Sequence, residues 1–352
     1  MLGELRILER LLLAGVALTT AVAGVLEFTH ADPLAIFLAT SVALAGVAWV
    51  VSFATEIVGD RMGAAATGFL QSTLGNLPEL FIVIFALSAG ELVVAQFAVL
   101  GSIFANALLI LGLVIIAGSW QAEDGIMRFN PRLPNDTATL LLLAVFIIVL
   151  LGASDQVGDR ASEHAVTISA IGAVVLLVVY FTFLFGYLRA GGEELEAIVP
   201  RLPLWFGIGL LALGGVGAAF VSEWFVDALA PSIEQIGISR PFTGLVIVAI
   251  AGNAVEHFVG VVLAAKGKSD LAMSVVKNSV AQIAVFLFPA LVLISLLFAE
   301  PLTFVIGPVY IGALAIMAIA VWQVTGDGEA GMFEGWALVG LFVILATLTF
   351  YE

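Results

Sequence analysis

The chain has 352 residues, of which 62% are hydrophobic and only 11% are charged, and its mean hydropathy is +1.18. Soluble domains have about 45–50% apolar and about 25% charged residues, so this composition excludes a soluble protein and predicts a helical membrane protein. The 27 acids and 12 bases give a net charge of −15, which argues against nucleic acid as a partner. Because the chain has no cysteine, it can form no disulfide and no thiolate metal site.

Eleven apolar runs follow one another along the chain. They cover residues 11–26, 34–53, 63–89, 92–118, 137–152, 165–188, 204–221, 242–265, 271–298, 302–321 and 333–350. A transmembrane helix needs about 20 apolar residues, and the runs lack the alternation of barrel strands. The sequence therefore predicts an all-α polytopic membrane protein with about 11 transmembrane helices, the first of them retained as a helix.

The basic residues between the runs predict the orientation. Nine lysines and arginines fall on the side of the N-terminus and two on the other side, while Lys277 lies inside a run. Because cytoplasmic loops carry the excess of basic residues, we expect a cytoplasmic N-terminus and, with an odd number of spans, an external C-terminus.

An internal repeat links two of the runs. The segments GNLPELF (75–81) and GNAVEHF (252–258) share the pattern GNxxExF with an offset of 177 residues, and Ser279 lies 177 positions after Ser102. Five spans separate the two motif-bearing helices in the count, so the second copy should cross the membrane in the opposite direction. Such inverted repeats are typical of secondary transporters, which bind substrate near the midplane where the copies meet.

Each motif also predicts a break in its helix. Gly75 and Gly252 weaken the helix, and Pro78 cannot donate to the carbonyl of Leu74. A broken helix within a membrane is tolerated where its backbone lines a cavity or binds an ion. The asparagine and glutamate of each motif are three residues apart, so they should share one face and converge on one ligand.

Glu79 and Glu256 are the only acids deep inside the apolar runs, where an ionised side chain costs about 2.5–3.5 kcal/mol. Two facing carboxylates without a fixed cation can bind a hard divalent cation or take up protons, and these states exclude each other. This exclusion is what an antiporter needs. Further oxygens for a cation such as Ca²⁺ could come from the side chains of the following helices, Ser102, Asn106, Ser279 and Gln282.

These motifs resemble a known family. GNxPEL and GNxxEH, followed by GSIxxNxLLxLG and SxxQIAxF, are similar to those of the calcium/proton exchangers of the calcium/cation antiporter superfamily, over about residues 56–297. The resemblance implies two inverted five-helix repeats plus one extra N-terminal helix, and implies that Glu79 and Glu256 bind calcium and exchange it for protons. It also implies supporting roles for Asn76, Asn253, His257, Ser102, Ser279 and Gln282.

The expected organisation is an N-terminal transmembrane helix (1–30), a first repeat (31–190), a short acidic cytoplasmic linker (191–202) and an inverted second repeat (203–352). The expected partners are Ca²⁺ and protons as substrates and the lipid bilayer, with no cofactor and no nucleic acid, and the expected location is a prokaryotic cell membrane. The oligomeric state stays open.

Three alternatives remain at this point. A sodium-coupled calcium exchanger would keep the fold, although His257 argues against it, and a cation channel would also place acids at the midplane. An enzyme is disfavoured because neither HExxH nor a nucleotide-binding motif occurs. Glu79 and Glu256 could also be buried acids that only hold helices together.

Overall fold

The computed structural model describes residues 5–59, 61, 70, 73–190 and 200–352, and these residues are almost wholly helical. The helices are α1 (Ile7–Phe28), α2 (Pro33–Gly59), α3 (Leu77–Ser88), α4 (Leu92–Gln121), α5 (Arg132–Gln156), α6 (Ala165–Ala190), α7 (Leu204–Ile236), α8 (240–265), α9 (Ser269–Ser295), α10 (Pro308–Thr325) and α11 (Met332–Phe350). A 3₁₀ turn, Arg160–His164, precedes α6, and π-helical segments lie inside α4 (Ala105–Ile110), α8 (Thr243–Val248) and α9 (Ile283–Leu287).

The helices have the length and polarity of membrane spans. Within the described ranges, nine are long and apolar enough to cross a bilayer, and α8, which bends by 64° between Arg240–Ala254 and His257–Ala265, would be a tenth. Helix α3 has 12 residues and is shorter. Large apolar side chains such as Phe146, Phe185 and Leu213 are exposed on the outer faces, as expected for contact with lipid. The predicted all-helical membrane class is confirmed.

The two halves repeat one another in backbone detail. Gly90 and Gly267, 177 residues apart, both have positive φ (76° and 71°) in the turn that precedes α4 and α9, a conformation that glycine adopts without strain. Helices α4 and α9 begin 177 residues apart, at Leu92 and Ser269, and the π-helical segments of α4 and α9 occupy matching positions. The offset that relates the two motifs therefore also relates the helices around them.

Helices α2 and α7, which begin the two halves, pack side by side. A Cβ atom added at Gly207 would meet Ile57, and one added at Gly217 would meet Val47. The numbers rise along one helix as they fall along the other, so the two helices are antiparallel. This is the relation that an inverted repeat requires of its first helices.

Several boundaries differ from the predicted ones. Helix α7 continues to Ile236, far beyond the apolar run that ends at residue 221, because it keeps its helical hydrogen bonds where its side chains become polar. Residues 63–69 and 71–72 of the predicted third span and residues 191–199 of the predicted linker lie outside the described residues. The strands β1 (Ile126–Arg128) and β2 (Glu329–Gly331), which pair antiparallel across the two halves, were not predicted.

Candidate cation site

The helix is interrupted within the first motif. Residues 73–75 are helical, Asn76 is a turn residue (φ −84°, ψ 4°), and α3 begins at Leu77. Pro78 then occupies the first turn of α3, where a helix needs no backbone donor. Glu79 lies in the same first turn and is 1% exposed. The positive end of the α3 dipole therefore lies beside this buried carboxylate and favours its negative charge.

The two motifs meet inside the protein. A Cβ atom added at Gly252 would lie 3.8 Å from the Cβ atom of Glu79, so the acid of the first motif packs beside the glycine of the second. Asn76 and Asn253 are 4% and 2% exposed. The structure thus brings the predicted residues of two segments 177 positions apart to one buried place.

Asn253 is oriented by its amide nitrogen. Its Nδ2 donates to Ser102 Oγ on α4 at 2.9 Å and to the carbonyl of Ala249 at 3.0 Å. Its buried Oδ1 has no hydrogen-bond partner in the described part of the chain. A buried acceptor without a partner is costly, so this oxygen is placed to bind a ligand or water.

The predicted polar residues of α4 and α9 are all buried, and hydrogen bonds join Ser102 to Asn253 and Gln282 to Thr73. Asn106 donates to the backbone carbonyl of Ser102 at 3.0 Å, a bond within its own helix, and Ser279 is fully buried. Gln282 donates to Tyr180 Oη at 2.8 Å and to Thr73 Oγ1 at 3.4 Å, and its buried Oε1 has no partner among the described residues. After Asn253 Oδ1, Gln282 Oε1 is therefore a second buried amide oxygen that could bind a ligand or water.

The second motif is bent after Gly252. Helix α8 continues through Gly252, and its axis changes direction between Ala254 and His257. The backbone of Glu256 lies at this bend, but its side chain is outside the described residues. His257 is 7% exposed, and its buried Nε2 has no hydrogen-bond partner within the described ranges. The bend thus takes the place in α8 that the turn at Asn76 takes before α3.

Three residues near the motifs were not among the predicted site residues. Tyr180 and Thr73 contact Gln282, and the buried Ser222 of α7 donates to the carbonyl of Pro78 at 3.4 Å. Thr73 could have been found from its spacing, because it lies three residues before Asn76. Tyr180 and Ser222 give no such signal, since their roles depend on how α6 and α7 pack.

Lys277 faces away from these groups. It is 1% exposed, and its Nζ donates to Thr325 Oγ1 on α10 at 3.3 Å. The polar cluster described above consists mainly of carboxylate, amide and hydroxyl groups, with the His257 imidazole beside them, and its residues come from α3, α4, α6, α7, α8, α9 and the segment before α3. The oxygens of these groups are the ligand types that hard cations prefer.

A repeated helical membrane fold with a buried polar cluster between its halves defines a secondary transporter. The chain matches the sodium/calcium exchanger protein family over residues 32–188 and 206–351, segments that correspond to α2–α6 and α7–α11 apart from a few terminal residues. It belongs to this family, and the resemblance seen in its motifs is confirmed.

Comparisons with individual proteins agree with this family assignment. A protein named Ca(2+)/H(+) antiporter from Aphanothece halophytica is 30% identical over 347 residues, which cover 93% of this chain and 92% of that protein. The solved structure of native YfkE is 26% identical and superposes with a TM-score of 0.81 over 97% of this chain and all of that one. A structure of the sodium-calcium exchanger NCX_Mj, 20% identical with a TM-score of 0.60, covers 90% of this chain and 98% of its own and shares the fold.

Proposed function

We propose that this chain is a secondary antiporter that exchanges cytoplasmic Ca²⁺ for protons by alternating access around Glu79 and Glu256. The observation that carries the proposal is the contact between the two motifs, in which Glu79 packs beside Gly252. The similarity over nearly the whole chain to a protein named Ca(2+)/H(+) antiporter supports the choice of ions. Ca²⁺ and protons are the substrates, and neither a resident cofactor nor an enzymatic step is required.

The chemistry follows from the donor set. Glu79 lies at the positive end of α3, and the oxygens of Asn253 and Gln282 have no hydrogen-bond partners among the described residues. Together with Glu256, they would replace part of the hydration shell of Ca²⁺, which takes about six to eight oxygens. Removing the ion leaves the carboxylates of Glu79 and Glu256 without a cation, and protons then neutralise them. The site is neutralised in both the calcium-bound and the protonated state. This neutralisation lowers the free-energy cost of changing its access from one side of the membrane to the other.

Sodium-coupled calcium exchange is the second candidate. The family takes its description from sodium/calcium exchangers, and the fold is shared with NCX_Mj. The two candidates differ in the driving ion, so one transport assay separates them.

The test is calcium uptake by proteoliposomes of the purified protein, driven by a pH gradient or by a sodium gradient. We expect uptake with the pH gradient alone, and we expect Glu79→Gln and Glu256→Gln to reduce it to the rate of protein-free vesicles. The matched control is Glu234→Gln, the same change at an exposed acid of α7, which should transport normally.

Each other result has a defined meaning. Uptake driven only by sodium would replace protons by sodium as the coupled ion. Calcium flux that follows its own gradient and needs neither driving ion would indicate a channel. Normal exchange in both glutamine variants would contradict the assignment of the site.

A further inference from the structure

Polar residues recur every fourth position along α9, from its first turn to the candidate site. They are Asp270, Ser274, Asn278 and Gln282. This spacing places them along one face of the helix. Asp270 is exposed, Ser274 and Asn278 are half-buried and Gln282 is buried, and the Asn278 amide donates to Ser274 Oγ at 3.3 Å. This row, called the α9 polar stripe below, connects one end of the helix with the site.

Two cavities accompany the stripe. A cavity of about 820 Å³ lies between α5, α6 and α9, and its lining includes Asp136, Tyr187 and Ser274. A second cavity of about 20 Å³ lies deeper between α6 and α9, and its lining includes Tyr180, Tyr187 and Asn278. Phe183 and Tyr187 line both cavities, so the two cavities adjoin, and the small one lies on the side of Gln282. The open end lies at the start of α9, on the face that the basic residues predict to be cytoplasmic.

Within the described part of the chain, charged groups line the outer part of this path and not the inner part. Asp136, Asp270 and Arg132 line the large cavity, and Asp270 accepts a hydrogen bond from the backbone of Asn130 at 2.7 Å. The small cavity is lined by apolar side chains, amides and the two tyrosines, which are its only titratable groups within the described residues. Among the described residues, the inner path therefore holds no carboxylate that could bind a cation.

The size of the small cavity selects what can pass. About 20 Å³ holds about one water molecule. A calcium ion carries about six to eight oxygens at 2.3–2.6 Å and does not fit. A proton does fit, because it moves from one hydrogen-bonding group to the next through a single water. Gln282 offers a buried oxygen with no partner among the described residues at the inner end of the path.

We propose that the α9 polar stripe and the tyrosines opposite it form a proton route between the candidate site and the large cavity, separate from the path of calcium. The inference rests on the proposed proton exchange. A proton leaves a carboxyl group of the site for water beside Gln282 and Tyr180. Water beside Asn278 and Ser274 then carries it to the large cavity, so one proton is lost from the site and one appears in the cavity.

The test compares two activities of the same proteoliposomes. Calcium uptake driven by a pH gradient requires proton movement, whereas exchange of ⁴⁵Ca²⁺ for unlabelled Ca²⁺ does not. We expect Asn278→Leu, which fills the small cavity with an apolar group, to slow pH-driven uptake by about tenfold or more, equivalent to a barrier increase of at least ~1.4 kcal/mol. Calcium–calcium exchange should stay within about twofold of wild type, since only proton transfer is blocked.

Further variants keep the test decisive. Asn278→Ser keeps a polar group and room for water and should restore pH-driven uptake, and Ser274→Val should slow it as Asn278→Leu does. Thr347→Leu is the matched control, because it removes an exposed hydroxyl from α11. Equal losses of both activities, or unchanged pH-driven uptake in Asn278→Leu and Ser274→Val, would overturn the proton route. Failure of the proposed function is distinguishable, because wild-type protein would then show no pH-driven uptake.

Discussion

Ser102 and Asn253 join the two halves at the candidate site through one hydrogen bond of 2.9 Å. The bond holds the Asn253 amide so that Nδ2 faces α4 and Oδ1 is left for another partner. Because an amide can be reversed by rotation, its orientation depends on this acceptor and on the Ala249 carbonyl. Ser102 thus acts through Asn253, and its effect on calcium should be indirect.

This dependence gives the first residue-scale prediction. Ser102→Ala removes one of the two acceptors of the Asn253 amide. We expect the apparent KM for calcium to rise by about two- to tenfold, because the loss of one hydrogen bond costs ~0.5–1.5 kcal/mol. Ser119→Ala is the control, because Ser119 is another buried serine of α4 but bonds the carbonyl of Ala330. Initial rates of pH-driven uptake at varied calcium concentrations would give the KM of each variant. Equal KM values in the two variants would contradict the role given to Ser102.

At the scale of elements, α4 and α8 approach each other closely through glycine. A Cβ atom added at Gly101 would lie 2.5 Å from the Cα atom of Leu245, and one added at Gly244 would lie 2.7 Å from the Cβ atom of Phe97. Small residues allow helix backbones to pack closely in membranes. The crossing also places Ser102 within reach of Asn253, so site geometry depends on helix packing.

Gly101→Ala should therefore destabilise the protein, because the obstructing atoms belong to the backbone of α8 and cannot rotate away. We expect a loss of about 1–3 kcal/mol, seen as a lower thermal unfolding temperature in detergent, together with slower transport. Gly340→Ala on α11 is the matched control, since an added Cβ atom there would meet nothing within 4 Å. Its effect should be neutral or stabilising by up to ~1 kcal/mol, and a similar loss in both variants would contradict close packing as the cause.

The sequence predicted some elements and not others for physical reasons. The break before α3 was predictable because glycine and proline act locally. The end of α7 was not, because hydropathy reports contact with lipid and not the continuation of helical hydrogen bonds. The β1–β2 pair and the contact between Tyr180 and Gln282 join residues far apart in the chain. Such contacts depend on the packed structure, and no local sequence pattern predicts them.

At the scale of the whole molecule, the strand pair ties the two halves together at one membrane face. Arg128 of β1 forms ion pairs with Asp124 at 2.7 Å and with Glu329 of β2 at 3.1 Å. The hydrogen bond from Arg128 lowers the pKa of Asp124, and the bond to Asp124 raises the pKa of Arg128. All three charges lie at the surface, so screening by water and salt makes their contribution to stability small. They do place the loops after α4 and α10 on the same side.

Because the strand pair places the loops after α4 and α10 on the same side, labelling one of these loops tests the membrane orientation of both halves. Because the chain has no cysteine, a single introduced cysteine is the only site for a maleimide. Glu123→Cys lies in the loop before β1, and Val157→Cys lies at the opposite end of α5, where Val157 is 78% exposed. The count of basic residues predicts that the first is cytoplasmic and the second external.

In intact cells, we therefore expect a membrane-impermeant maleimide to label Val157→Cys and to label Glu123→Cys only after permeabilisation. Tyr351→Cys, at an exposed position near the C-terminus, should behave like Val157→Cys because α11 starts beside β2 and ends on the opposite face. The reverse pattern at all three positions would invert the orientation and leave the fold intact. Labelling of Glu123→Cys and Tyr351→Cys from the same side would contradict the single crossing by α11.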